Sequence, residues 1–191
     1  VYGDGDGQVF QRFTLCLDVI AHEFAHGITQ FTSNLVYFEQ PGALNEHFSD
    51  VIGCLVKQWH LGQDAKDADW LIGAGLLVPG INGNALRSMS APGTAYDDPL
   101  IGRDPQPAHM RDLYHGTEDQ GGVHINSGIP NRVFWRVATE FGGQAWGTAG
   151  QVWWSAFTTM LNARASFADA ARAAIAAAGT IAGTRAASVV R

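Results

Sequence analysis

The chain has 191 residues, enough for one well-buried core and short for two. Its net charge of −6, with no cluster of lysine or arginine, argues against nucleic acid as a partner, because the phosphate backbone would be repelled overall. With 46% hydrophobic and 16% charged residues the composition is that of an ordered globular protein and excludes disorder. No apolar run approaches the ~20 residues that span a bilayer, so no membrane partner is expected. The opening VYGDGDGQVF carries neither the basic nor the apolar region of a leader peptide.

In chain order, Asp4–Gly7 (DGDG) predicts a tight turn, because glycine supplies positive φ and aspartate bonds its own backbone. From Phe13 to Thr32 the apolar positions Leu15, Val19, Ile20 and Phe24 recur at helical spacing. A second helix is expected from Ala43 to about His60, with Leu44, Phe48, Val51, Ile52 and Leu55 on its apolar side, and a third, shorter one from Asp69 to Leu77. A long Pro/Gly-rich passage from Val78 to about Gly122 follows; loops of that length inside a compact domain are usually functional or flexible. Helices resume after Ser127, whose hydroxyl is placed to cap, with Pro130 tolerated in the first turn. Three segments, VFWRVATEF, GQVWWSAFTTML and FADAARAAIAAAG, then read as helical. Residues 1–191 therefore predict a single, mainly α domain: a helical bundle with a short N-terminal β/turn segment and one long irregular loop. Cys16 and Cys54 fit no zinc-ribbon spacing, which leaves two buried thiols or one bridge between neighbouring helices.

The stretch HEFAH places His22 and His26 four residues apart, offset by ~40° and ~6 Å on one helix face, an arrangement that can bind one zinc ion. Glu23 sits ~100° around from His22, where it can reach a water held on the metal and act as general base. A third ligand is needed. A histidine six residues after the second would be one source, but Thr32 stands there. The other source is a glutamate on the next helix, and Glu46 in GALNEHFSD lies twenty residues beyond His26. Asp50, one turn further on, shares its face and is placed to accept the free N–H of a ligand histidine. His47, next to Glu46, points ~100° away and reads as packing or surface. After the long loop, EDQGGVHINSG offers His124 with Asp119 five residues earlier, a carboxylate-held histidine able to stabilise an oxyanion.

HEFAH, GALNEHFSD, LRSMS and GGVHINSGIPN, in this order, resemble the thermolysin-like zinc metallopeptidases, and a protealysin-like or actinobacterial subgroup most of all. The resemblance covers nearly the whole chain. It implies the zinc-bearing helical lobe of an endopeptidase, with Zn2+ on His22, His26 and Glu46. It further implies that Tyr37 helps His124 hold the oxyanion, that Arg87 binds substrate backbone beyond the scissile bond, and that Asn45 pairs with the peptide on the same side. Phe10, Phe13, Val19 and Leu86 match the apolar pocket that takes the residue after the cut, which implies cleavage before large hydrophobic side chains. Ordinary core packing is the alternative for those four.

The chain also departs from the family. Asp18 and Asp69 keep two acidic positions of a paired calcium site, but Lys57, Leu71 and Ala74 stand at others and cannot ligate calcium. Paired calcium is therefore expected to be absent, with the Lys57 ammonium neutralising the remaining carboxylates. The Ala91–Asp119 loop is longer than in thermolysin, and its part near His109 borders the expected cleft. By resemblance a β-rich lobe precedes this one, a pro-segment is a further partner, and the protein is secreted. The uncovered cleft face is then apolar and open to homodimerisation. Two other readings remain: a zinc-binding structural or interaction domain without catalysis, and a helical protein in which HEFAH is fortuitous.

Overall fold

In a computed structural model, residues 2–190 are described. Asp6 makes the expected turn: its Oδ1 accepts from the backbone N–H groups of Gln8, Val9 and Phe10. A 3-10 turn at Phe13–Leu15 and an extended Cys16 then lead into α1, Leu17–Phe31. The expected start at Phe13 is thus a separate turn. Asp18 in the first turn of α1 suits the positive end of the helix dipole. Asp18, His22, Ala25 and Thr29, at spacings of four, three and four, form a buried stripe that faces α2, so α1 buries polar groups on its inner side.

α2, Glu39–Leu61, begins four residues before the predicted start and closes at Gly62, whose φ of 65° ends it in the left-handed region. From Gly42 to Val51 it is buried on every side. It crosses α1 at very close range, since a Cβ on Gly53 would lie 2.4 Å from the carbonyl oxygen of Asp18.

The predicted helix at Asp69–Leu77 does not form. Trp70, Gly73 and Gly75 all have positive φ, which breaks a right-handed helix, and β1 (Leu71–Ile72) instead pairs antiparallel with β2 (Arg87–Ser88). The long passage is ordered by carboxylates that accept backbone N–H groups. Asp98 takes those of Asn82 and Leu100, and Asp104 takes those of Gly93, Ala95 and Gln106. It also holds a second two-stranded ladder, β3 (Asp97–Asp98) with β4 (Gly102–Arg103).

α3 spans Glu118–Asn126, and α4 spans Gly128–Phe141. Ser127 between them does not cap α4 as expected: its φ of −59° and ψ of −22° are helical, and its hydroxyl donates to the His124 carbonyl. α5 (Thr148–Ser155) continues into a wide turn at Ala156–Met160, and α6 (Phe167–Val190) bends at Gly183. The main core joins α2, α4, α5 and the wide turn through Phe48, Phe134, Trp153 and Phe157, and α6 joins it through its alanines. Phe48 stacks on Phe157 at 5.2 Å, and Phe134 meets Trp153 edge-on at 4.9 Å.

Contrary to the sequence reading, one apolar stretch does reach bilayer length: α6, at mean hydropathy 1.4, is long and apolar enough to cross a membrane by length and composition. Alanine accounts for this. Ala170, Ala173, Ala174, Ala177 and Ala178 are buried in the bundle core.

Candidate active site

α1 and α2 bring His22, His26 and Glu46 together, with one ligand atom from each within 4.8 Å of the others. The outer nitrogens are occupied. His22 Nδ1 donates to Asp50 Oδ1 at 2.9 Å, and His26 Nδ1 donates to Asn45 Oδ1 at 2.8 Å, with Ser49 Oγ at 3.2 Å. In the neutral rings each Nε2 therefore carries a lone pair, and the two face each other at 3.1 Å. Glu46 adds Oε2 at 3.4 Å from His22 Nε2 and Oε1 at 3.4 Å from His26 Nε2. Glu46 Oε2 is buried without a hydrogen-bond partner among the described residues. Acceptors converging on one point with no donor between them call for a cation.

The spacing fits zinc, because ligands ~2.0–2.1 Å from a tetrahedral ion lie about 3.3 Å from one another. The electrostatics agree. Burial alone would lower the His22 pKa, but its bonds to Asp50 and Glu46 outweigh that and raise it to about 9. Burial alone would raise Glu46, yet His22 and His124 hold it at about 2. The pocket thus favours positive charge, whether from a proton or from a metal ion.

Asp50 is fully buried and fully used. It accepts from His22, from Arg87 Nε at 2.8 Å and Nη2 at 2.6 Å, and from Asn131 Nδ2 at 2.9 Å. Burial would raise its pKa, and the Arg87 guanidinium with His22 drives it far below the usual carboxylate range. Glu23 is exposed on α1, one residue from His22.

On the other side of Glu46, the Tyr37 hydroxyl donates to Glu46 Oε1 and lies 3.1 Å from His124 Nε2. His124 is held by Asp119, whose Oδ1 accepts from its Nδ1 at 2.6 Å while Oδ2 takes the backbone N–H groups of His124 and Ile125. Asp119 reaches all three because Asp119, Gln120, Gly121 and Gly122 run in succession through left-handed φ/ψ, one turn of the wrong hand inside α3. Non-glycine residues pay about 1–2 kcal/mol each for that conformation, which marks a functionally constrained segment. Glycine is needed where the turn is crowded: a Cβ on Gly121 would lie 2.7 Å from Glu39 Cγ, and one on Gly122 2.6 Å from Tyr114 Cδ1.

Other expectations meet mixed outcomes. Phe10, Phe13, Val19 and Leu86 do come together, around Cys16 and Leu76 in a small cluster separate from the main core. Asn45 has partners inside the protein. Its Oδ1 accepts from His26 and one N–H of its Nδ2 donates to the Leu35 carbonyl, so it orients a histidine as well as standing at the position expected to pair with peptide. Arg87 spends Nε and Nη2 on Asp50. His109 is exposed and caps its own turn, its Nδ1 accepting from the Arg111 backbone. Cys16 and Cys54 are both buried and unbridged. Lys57 Nζ sits among Asp18 Oδ2 at 3.2 Å, Asp69 Oδ1 at 2.9 Å and the Leu71 carbonyl at 2.5 Å.

The sequence reading also missed groups. Asn131 is a buried polar residue on the apolar stripe Phe134–Ala138 of α4, and a polar residue at a core position is a signal in itself. Gln106, deep in the long passage, donates to the His124 carbonyl at 2.7 Å and to Ser127 Oγ at 3.0 Å, and nothing in its sequence context announces that.

Two histidines and a glutamate on successive helices, with a glutamate beside the first histidine, are the hallmark of a zinc metallopeptidase site. Comparison with known proteins narrows this. Residues 33–191 match the thermolysin metallopeptidase alpha-helical domain, and residues 1–30 match the thermolysin metallopeptidase catalytic domain. The chain belongs to the thermolysin metallopeptidase family. It is 60% identical over 154 residues to an extracellular metalloprotease of Pectobacterium carotovorum subsp. carotovorum, covering 81% of this chain and 44% of that protein. It is 37% identical over 193 residues to thermolysin of Alicyclobacillus acidocaldarius, covering 96% of this chain and 33% of the relative. The solved structure of the precursor of protealysin, a metalloproteinase from Serratia proteamaculans, superimposes with a TM-score of 0.98 at 55% identity, covering all of this chain and 59% of that one. The chain spans less than half the length of these curated relatives.

Proposed function

We propose that this chain is the metal-bearing lobe of a secreted zinc endopeptidase. The observation that carries the reading is the donor set of His22, His26 and Glu46, whose lone pairs converge on one point and leave Glu46 Oε2 buried without a partner. When bound there, zinc would supply a Lewis acid for the scissile carbonyl and lower the pKa of a water. The chain's own groups do the remainder. The Glu23 carboxylate takes the proton of the attacking water and returns it to the leaving amine. Tyr37 Oη and His124 Nε2, close together beside Glu46, donate to the oxygen that becomes negative, and Asp119 keeps His124 oriented. Asp50 and Asn45 hold the two ligand histidines, each through its Nδ1–H.

The apolar cluster of Phe10, Phe13, Val19 and Leu86 supports a preference for a large hydrophobic residue after the cut. Arg87, anchored on Asp50, reaches the substrate backbone with the rest of its guanidinium. Lys57 takes the place of paired calcium between Asp18 and Asp69. Leu17, Phe24 and Phe31, exposed seven residues apart on one side of α1, form the face that meets another part of the peptidase or its pro-segment. A second copy of the chain is the competing occupant, and light scattering across concentrations separates them.

The test measures bound zinc and hydrolysis of a furylacryloyl dipeptide amide in wild type and Glu23→Ala. Retained zinc with lost cleavage is the expected result. Zinc with no cleavage in either protein would make this a structural metal domain, and no stoichiometric zinc would end the reading.

A further inference from the structure

Behind Asp50, away from the metal pocket, lies a line of buried polar groups that the reaction does not touch. His47 is the residue after Glu46 and lies ~100° around α2 from it, where Asn131 of α4 and Trp153 of α5 meet it; all three are buried. The Trp153 indole N–H donates to His47 Nε2 at 2.8 Å. An indole nitrogen can only donate, so His47 Nε2 accepts and its proton sits on Nδ1. That Nδ1–H donates to Asn131 Oδ1 at 2.7 Å. With the amide oxygen fixed on His47, the Asn131 NH2 group is delivered to Asp50 Oδ2 at 2.9 Å. Asp50 Oδ1 in turn accepts from His22 Nδ1.

We infer that Trp153, His47 and Asn131 are positioning residues, a one-way hydrogen-bond relay that fixes the Asp50 carboxylate and, through it, the ring of the metal ligand His22. The direction follows from donor chemistry. Tryptophan sets the tautomer of His47, the tautomer sets the flip of Asn131, and the flip decides whether Asp50 faces a donor or an oxygen. Either reversed arrangement puts acceptor against acceptor among groups that are fully buried. The aromatic surroundings reinforce the geometry: the His47 ring lies 5.4 Å from Phe157 and 6.3 Å from the Trp153 ring. The inference rests on His22 being a metal ligand, as proposed above.

The test uses the full-length protein and measures zinc affinity by chelator competition, together with the melting temperature of the metal-free form and kcat and KM. The variants are Trp153→Phe, which keeps an aromatic but smaller ring and removes the N–H, and the pair His47→Leu and His47→Asn. Asparagine at 47 can still donate to Asn131, whereas leucine of similar volume cannot. The relay predicts zinc affinity about 10-fold weaker in Trp153→Phe and His47→Leu, in the range seen when partners of ligand histidines are changed. It predicts rescue to within about 3-fold in His47→Asn, with KM unchanged throughout. Equal zinc affinity in all four proteins, with only the melting temperatures of the variants lowered, would leave these residues a purely structural role and overturn the relay. A wild type that binds no zinc, indistinguishable from His22→Ala, would overturn the metal reading and the relay with it.

Discussion

Replacing Lys57 by methionine keeps most of the stem and removes the charge that sits between Asp18 and Asp69. Asp18 then stays buried with only the backbone N–H groups of Val19 and Gly73 as partners. Breaking a buried pair from one side costs about 3–5 kcal/mol. Asp69 is half exposed and rehydrates, which places the expectation at the lower end, about 3 kcal/mol. In a chain of this size 1 kcal/mol moves the midpoint by roughly 2–4 °C, so Lys57→Met should melt about 6–12 °C below wild type at pH 7. Adding Asp18→Asn should recover most of the loss, because the stranded charge is gone. The pH dependence is a second handle. Burial lowers the Lys57 pKa, but the two carboxylates outweigh it and the net shift is upward from 10.5. A lysine raised in the folded state stabilises fully below its unfolded pKa and loses that stabilisation as pH climbs through the folded one. The gap between wild type and variant should therefore be flat from pH 7 to 10 and narrow only above about pH 10.5. Urea unfolding at pH 7, 9 and 11 measures it. A loss below about 1 kcal/mol at pH 7, a gap that widens between pH 9 and 11, or calorimetry showing two tight calcium ions dependent on Asp18 would refute the reasoning.

Gly122→Ala combines a φ of 83° with a Cβ 2.6 Å from Tyr114 Cδ1, so about 2 kcal/mol of stability and most of the activity should be lost; a thermal melt and an assay of the same sample check both. Tyr37→Phe removes one donor at the oxyanion position and should lower kcat about 10- to 100-fold with little change in KM, read from initial rates. Stripping the metal with a chelator should lower the melting midpoint by about 10 °C if free zinc stood near a thousand times its Kd, since that ratio contributes about 4 kcal/mol. A His22→Ala variant, already without the ion, should not respond to the chelator.

Local chemistry was the legible part of this sequence. His22 and His26 could be paired from helical spacing, Glu46 from its place in the next helix twenty residues on, and Asp50 from the helix face it shares with Glu46. Asp119 and His124 were legible as a pair, but not the reversed-hand turn that joins them, since a run of left-handed residues leaves no period in the sequence. The helix expected at Asp69–Leu77 failed where Trp70, Gly73 and Gly75 turn left-handed, and tertiary pairing with Arg87–Ser88 took the segment. The internal bonds of Asn45 were not legible, because its partners, His26 and the Leu35 carbonyl, are set by the crossing of α1 over α2. Gln106 and Trp153 act across eighteen and 106 positions, on His124 and His47 respectively, and no local pattern encodes contacts of that range.

The missing side chain at Gly53 works as a notch. With backbone seated against backbone at Asp18, α2 cannot slide along α1 without lifting out of it. One residue of slippage would displace Glu46 by about 1.5 Å, several times the tolerance of a metal–ligand bond. The gauge that keeps three donors at a common centre is thus a hydrogen atom seven positions down the helix from the glutamate, on a residue that never meets the ion.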